Sequence, residues 1–101
     1  MKKRIPEIRY RASRLCRALG NPTAYEVLTL LDERRMTPEE LADILGVNIA
    51  TVSQVLRVLR NLDLVRYEVT WRHHHYWIKA GPVRRIMQDL EQLVEVIQTR
   101  S

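Results

Sequence analysis

The strongest constraint on this chain is the stretch MTPEELADILGVNIATVSQVLRVLRN, residues 36–61, which starts, stops and joins two helices within a few residues. Thr37 and Glu40 are spaced as a capping box around Pro38, a residue suited to a first helical position. Leu41, Ile44 and Leu45 then supply a short apolar face that Gly46 ends, leaving room for only about two turns. After this glycine, Asn48 caps a second helix whose apolar residues Val52, Val55, Leu56 and Leu59 repeat at i, i+3, i+4 and i+7. Two helices joined by so tight a turn beside a glycine form a helix-turn-helix.

The flanking segments extend the pattern. In GNPTAY, Asn21 caps and Pro22 opens a helix of about three turns, with Ala24, Val27, Leu28 and Leu31 on one face. Downstream, LDLVRYEVTWRHHHYWIKA alternates at Val65, Tyr67 and Val69 and again at His74, Tyr76 and Ile78, which predicts a β-hairpin turning near Trp71 and Arg72. No Asn-Gly or Asp-Gly marks that turn. At the ends of the chain, Ile5, Ile8, Ala12, Leu15 and Leu19 form one apolar stripe, and Val83, Ile86, Leu90, Leu93 and Ile97 form another. The expected fold is mainly α with a β-hairpin: a winged helix-turn-helix with four helices before the wing and one after it. At 101 residues, with 46% apolar and 29% charged side chains, the chain fits one domain, 1–101. Within it, residues 1–20 form a basic N-terminal helix, 37–61 the helix-turn-helix, 64–79 the wing and 82–98 the C-terminal helix. A small core and a wing cannot cover both terminal stripes, so pairing of two chains through Ile5, Ile8, Leu15, Leu19, Val83, Ile86, Leu90, Leu93 and Ile97 is expected, giving a homodimer.

Function is carried by what the second helix of the motif leaves uncovered. Ala50, Ser53, Gln54, Arg57 and Asn61 share the stripe opposite its apolar face. Small hydroxyl, amide and guanidinium groups there match base edges and phosphates in a major groove better than the Glu and Lys pairs of an ordinary solvated face. The net charge of +5 favours a polyanionic partner. Lys2, Lys3, Arg4, Arg9, Arg11, Arg14 and Arg17 crowd the first helix and its lead-in, where Glu7 is the only acid, so this segment either contacts flanking phosphates or forms a solvated face. Arg72, near the wing tip, is the candidate for a minor groove. No segment approaches the roughly 20 apolar residues of a membrane span. No apolar run follows the basic N-terminus, and the lone cysteine fits a reducing compartment, so cytoplasmic location and no membrane partner are expected.

The run His73-His74-His75 poses a separate question. On a strand, His73 and His75 share one face and His74 takes the other, so at most two reach one metal, with Glu68 the nearest carboxylate. No metal or cofactor is expected; His73 and His75 are the low-ranked ligand candidates, and His73 also stands where a phosphate contact is plausible. No nucleophile, cofactor loop or carboxylate pair points to an enzyme.

The runs LCRALGNPTAYEVLTLL and MTPEELADILGVNIATVSQVLRVLRNLDLVRYEVTWRHHHYWI resemble the ArsR-type winged helix-turn-helix regulators of prokaryotes, the arsenic-repressor and zinc-repressor family, over Leu15 to Ile78 and on through the last helix to Ile97. The resemblance implies a homodimeric, sequence-specific DNA-binding regulator, usually a repressor released by an effector. It matches Asn48, Ile49, Ala50, Ser53, Gln54 and Arg57 to the recognition helix; with Thr51 of the same helix and Arg72 and His73 of the wing, read from their positions, these are the expected DNA contacts. Members that sense arsenic, cadmium or lead carry a Cys-x-Cys pair where Thr37 and Glu39 stand here, and zinc sensors carry Asp and His ligands where, within a residue or two, Ala80, Pro82, Leu93 and Val96 stand. Both usual metal sites are therefore expected to be absent. Cys16 alone cannot form a two-thiol switch and is expected to be a small buried hydrophobe. Double-stranded DNA and a second copy of the chain are the expected partners. The alternative is a winged-helix protein-interaction module with no sequence preference on DNA.

Overall fold

Side-chain caps at Asn21, Thr37 and Asn48 determine where three of the helices begin. The computed structural model describes residues 4–99, so Lys2 and Lys3 lie outside the described residues. The helices are α1 (Glu7–Leu19), α2 (Pro22–Glu33), α3 (Pro38–Leu45), α4 (Ile49–Asn61) and α5 (Pro82–Thr99), with strands β1 (Val65–Thr70) and β2 (His73–Ile78) between α4 and α5. The Asn21 side chain accepts from the Ala24 amide at 3.0 Å to open α2. At α3 the capping box is complete: the Thr37 hydroxyl accepts from the Glu40 amide at 3.1 Å, and the Thr37 amide donates to the Glu40 carboxylate at 3.0 Å. That amide, followed by the Arg34 guanidinium 3.0 Å away, holds the Glu40 carboxyl below the usual carboxylate range. Gly46 ends α3 at φ 68°, a left-handed conformation that glycine adopts without steric cost.

One core joins these elements. Val27, Leu28 and Leu31 of α2, Leu41 and Ala42 of α3, and Val52, Leu56 and Leu59 of α4 are buried together with Leu64, Val65, Tyr76 and Ile78. Each buried Leu or Val contributes about 1.5–3 kcal/mol relative to exposure. The helix-turn-helix and the hairpin therefore share a single buried seam, which fixes the wing beside α4.

The hairpin register pairs Val65 with Ile78, Tyr67 with Tyr76, Val69 with His74 and Thr70 with His73. Its two-residue loop is Trp71-Arg72, as expected, and both residues hold positive φ, 54° and 72°. One feature was not legible beforehand: Met36 pairs with Tyr76 through two backbone hydrogen bonds of 3.2 and 2.9 Å, so β2 is bonded on both sides. The extended residues between α2 and the Thr37 cap make this possible.

The terminal helices are only partly covered. α5 is tied to α2 by Tyr25, whose hydroxyl donates to the Glu91 carboxylate at 2.6 Å, and by an Arg84–Asp32 ion pair. Leu19 and Val83, expected at a dimer surface, are instead buried in the chain's own core at 8% and 4% exposure. They sit where α1 meets α2 and where α5 leaves the hairpin, so their side chains turn inward. Ile8, at 74%, and Leu93, at 53%, remain exposed, as do Ile5, Ile86, Leu90 and Ile97. Cys16 is exposed, contrary to expectation, because it lies one helical step round from the Leu15 and Leu19 face.

Two stability predictions follow from this packing. A non-glycine residue held at positive φ costs on the order of 1 kcal/mol or more. Replacing the loop pair by the favoured sequence, Trp71→Asn with Arg72→Gly, should therefore raise stability by about 1 kcal/mol, read as an increase in thermal midpoint of about 4–8 °C. The second concerns alkali. Burial, reinforced by the Glu91 hydrogen bond, pushes the Tyr25 hydroxyl up from 10.0 to about 12. The folded state thus favours the neutral phenol, and its contribution is full below pH 10 and lost as pH rises from 10 through 12. Tyr76 is raised by burial as well and adds in the same direction. Urea unfolding of Tyr25→Phe should show a shallower loss of stability across that pH window than the unsubstituted chain.

Candidate nucleic-acid interface

Sealing Val52, Val55, Leu56 and Leu59 into the core turns the opposite face of α4 to solvent. Ala50, Ser53, Gln54, Arg57 and Asn61 are all exposed on it, and Ile49 is half exposed at its first turn. Asn48 and Thr51 stand differently. The Asn48 side-chain oxygen accepts from the Thr51 amide at 2.8 Å and from the Thr51 hydroxyl at 2.7 Å. Their first task is to cap the helix, which leaves the Asn48 amide group as the outward-facing donor. Among the described residues Arg57 enters no ion pair, whereas Arg34, Arg35, Arg66 and Arg84 all do. Its guanidinium is free for an external anion.

The exposed stripe is not uniform. Thr51, Gln54, Val58 and Asn61 form one wall of a cleft of about 700 Å³ whose other wall is Tyr10, Ser13, Arg14 and Arg17 of α1. Spacings of three and four place these α1 residues on one helical face, beside the apolar face of Ile8, Ala12 and Leu15. The two arginines therefore stand next to the polar stripe of α4. Arg4, Arg9 and Arg11 are exposed elsewhere on α1 and its lead-in. The spacing of Tyr10, Ser13, Arg14 and Arg17 was present in the sequence, but nothing local says which helix that face will meet.

The wing is braced on both of its faces. On the core side, the Tyr67 ring lies 4.7 Å from His74 and 5.1 Å from Tyr76, and the Arg60 guanidinium of α4 sits 5.3 Å from the Tyr67 ring centre. On the outer side, Arg35 pairs with Glu68 and covers the Trp77 ring at 4.2 Å. This use of Arg35 was missed in the sequence because it precedes Met36, whose pairing to β2 brings it there. At the base of the hairpin the Leu64 carbonyl accepts from the Lys79 amide at 2.9 Å, and Lys79 pairs with Asp63 at 3.1 Å. The tip carries Trp71, Arg72 and His73, all exposed, and among the described residues Arg72 enters no ion pair.

The histidine run divides as the strand period requires. His74 lies against Tyr67 with the rings tilted by 44°, while His73 and His75 share the outer face with ring centres 6.4 Å apart. Glu68, opposite His75 in register, is committed to Arg35. Among the described residues no group of three His, Cys, Asp or Glu side chains is placed to hold a metal ion. The tip is therefore a cationic and aromatic surface.

The comparisons with known proteins agree with this geometry. Residues 21–67, from the cap of α2 into β1, match the family model of the bacterial regulatory proteins of the arsR family. Transcription factor E of Pyrococcus horikoshii is 29% identical over 94 residues, covering 81% of this chain and 49% of that protein, so the chain spans about half the length of this curated relative. Among solved structures, NolR from Sinorhizobium fredii superposes with a TM-score of 0.80 at 25% identity, covering 92% of this chain and 96% of that one. A homodimeric winged helix-turn-helix DNA-binding domain from Mycobacterium bovis, described as a possible ArsR-family transcriptional regulator, superposes with a TM-score of 0.79 at 22% identity, covering 94% and 91%. No single helix of this chain is long and apolar enough to cross a membrane among the described residues. From α2 into the wing the chain matches the arsR family model, and its fold, shared almost end to end with these structures, is the winged helix-turn-helix.

Proposed function

We propose that this regulator is a cytoplasmic repressor that binds a pseudo-palindromic operator as a homodimer and works without the metal sites usual in its family. The observation that carries the reading is the outer face of α4: Ala50, Ser53 and Arg57 are exposed, Arg57 is without an ion-pair partner among the described residues, and the opposite face is sealed in the core. In this reading Ser53, Gln54 and Arg57 read base edges, with Ile49 and Ala50 offering apolar contact to thymine methyl groups. Asn48 and Thr51 position the helix by their cap and meet phosphate. Arg72 and His73 in the wing, with Arg14 and Arg17 across the cleft, hold the flanking backbone.

Dimerisation is supported by the exposed faces of α1 and α5. Ile5, Ile8, Ile86, Leu90, Leu93 and Ile97 would remain in water in a lone chain, and a two-fold pair of chains buries them. The Mycobacterium bovis domain of the same fold is homodimeric. Two recognition helices related by a two-fold axis meet half-sites roughly 10 base pairs apart. The alternative metal reading of His73 and His75 lacks a third ligand among the described residues, and Thr37, Glu39, Ala80, Pro82, Leu93 and Val96 are not metal ligands of the family's kinds at its usual locations.

One observation favours a second reading. Transcription factor E is a relative over only half of its length, and a winged helix that is one part of a larger transcription factor can serve as a protein-interaction module. In that case the face of α4 would contact a partner chain and show no preference among DNA sequences.

Incubating the purified protein with a random duplex library in EDTA at near-physiological salt, and sequencing what is retained, separates the two. The repressor reading requires enrichment of an inverted repeat without metal; an unenriched pool would support the interaction module. On the enriched site, Arg57→Ala and Gln54→Ala should flatten sequence discrimination at individual positions by about 1–3 kcal/mol, whereas Arg72→Ala should weaken all sites alike and reduce the salt slope by about one. Identical binding profiles for the two classes would overturn this assignment.

A further inference from the structure

The hairpin closes on a residue pair that folding does not favour. A two-residue loop with both residues at positive φ selects Asn-Gly, yet this one holds Trp71 at 54° and Arg72 at 72°. Bulky residues at positive φ are sparsely populated and cluster at binding and switch regions. Trp71 is 89% exposed. The other aromatic rings of the hairpin are all engaged: Tyr67 with His74 and Tyr76, and Trp77 beneath Arg35. The Trp71 indole makes no ring or cation contact among the described residues.

We propose that Trp71 is a stacking wedge: its indole enters the duplex at the minor groove beside Arg72, partly opens a flexible pyrimidine–purine step and stacks on the freed base. The inference rests on the reading of this face as a DNA interface and adds a contact that reads deformability rather than base edges. Four features support a nucleobase as the occupant. Trp71 is flanked in sequence by Thr70, Arg72 and His73, so its indole is set among polar and cationic groups, which suit a base joined to its phosphate. Its one hydrogen-bonding group is a single N–H, so its contribution to binding lies in the ring face. A two-residue loop on a hairpin braced by Arg35–Glu68 and Met36–Tyr76 presents that face with little freedom to lose. The chain's net charge of +5 brings polyanions to it.

The test uses the duplexes that the unsubstituted chain enriches from the random library. Base–aromatic stacking is worth roughly five- to a hundredfold in affinity per base. Trp71→Asn should thus bind those duplexes about tenfold or more weakly at an unchanged salt slope, because no charge is removed, and Trp71→Phe should recover most of the loss. Asn suits the loop conformation, so weaker binding cannot be ascribed to an unfolded wing; the thermal midpoint of the variant checks this directly. In a Trp77→Phe background the remaining tryptophan is Trp71, and its emission should be quenched on binding. Undiminished affinity of Trp71→Asn, or unquenched emission in the bound state, would overturn the wedge while leaving the α4 reading intact. Failure of the unsubstituted chain to enrich or bind any duplex would overturn the α4 reading and the wedge with it.

Discussion

The structure depends on the burial of one face of α4. Val52, Val55, Leu56 and Leu59 pack against α2, α3 and the base of the hairpin, and at 3.6 residues per turn this dictates which side chains are left outside. The polar stripe of Ala50, Ser53, Gln54 and Arg57 points outward because its neighbours point in. The Asn48 cap and the Gly46 turn then set where the helix begins and at what angle it follows α3. The rigidity of α4 comes from the seam behind the helix rather than from anything on its exposed face.

The wing is held to the same seam by a different set of forces. Val65 and Ile78 enter the core, Met36 adds a backbone bridge to β2, and Arg35 clamps Glu68 and Trp77 on the outer face. The ion pairs are exposed and individually worth little. Their effect is geometric: with β2 bonded on both sides, the hairpin has few ways to shift relative to α4. The tip can therefore carry two residues in an unfavourable backbone conformation without the register slipping.

How much of this was legible in the sequence follows from how local each cause is. The caps at Asn21, Thr37 and Asn48, the αL glycine at 46 and the face of α4 all depend on residues within about one turn of each other, and each was readable from spacing alone. The Trp71-Arg72 loop was readable from the alternation on either side of it, although its residues are not those the turn prefers. The terminal stripes were readable as apolar, but not which of their members the chain would keep for itself. Leu19 and Val83 went inward and Ile8 and Leu93 stayed out, because that division depends on where α1 and α5 cross the core. The exposure of Cys16 has the same origin.

By itself, then, the sequence determined the order of the helices, the starts of α2, α3 and α4, the winged helix-turn-helix class and the composition of the outward face of α4, since capping and periodicity act between near neighbours; the first helix, expected over 1–20, begins only at Glu7, where no side chain caps it. Only the tertiary structure decided that Met36 would join the sheet, that Arg35 would brace the wing, and that Arg14 and Arg17 would face Gln54 and Asn61 across a cleft. Those arrangements join residues far apart in the chain. Their energies are small beside the burial that sets helix directions, so they follow from the packing and leave no local pattern of their own.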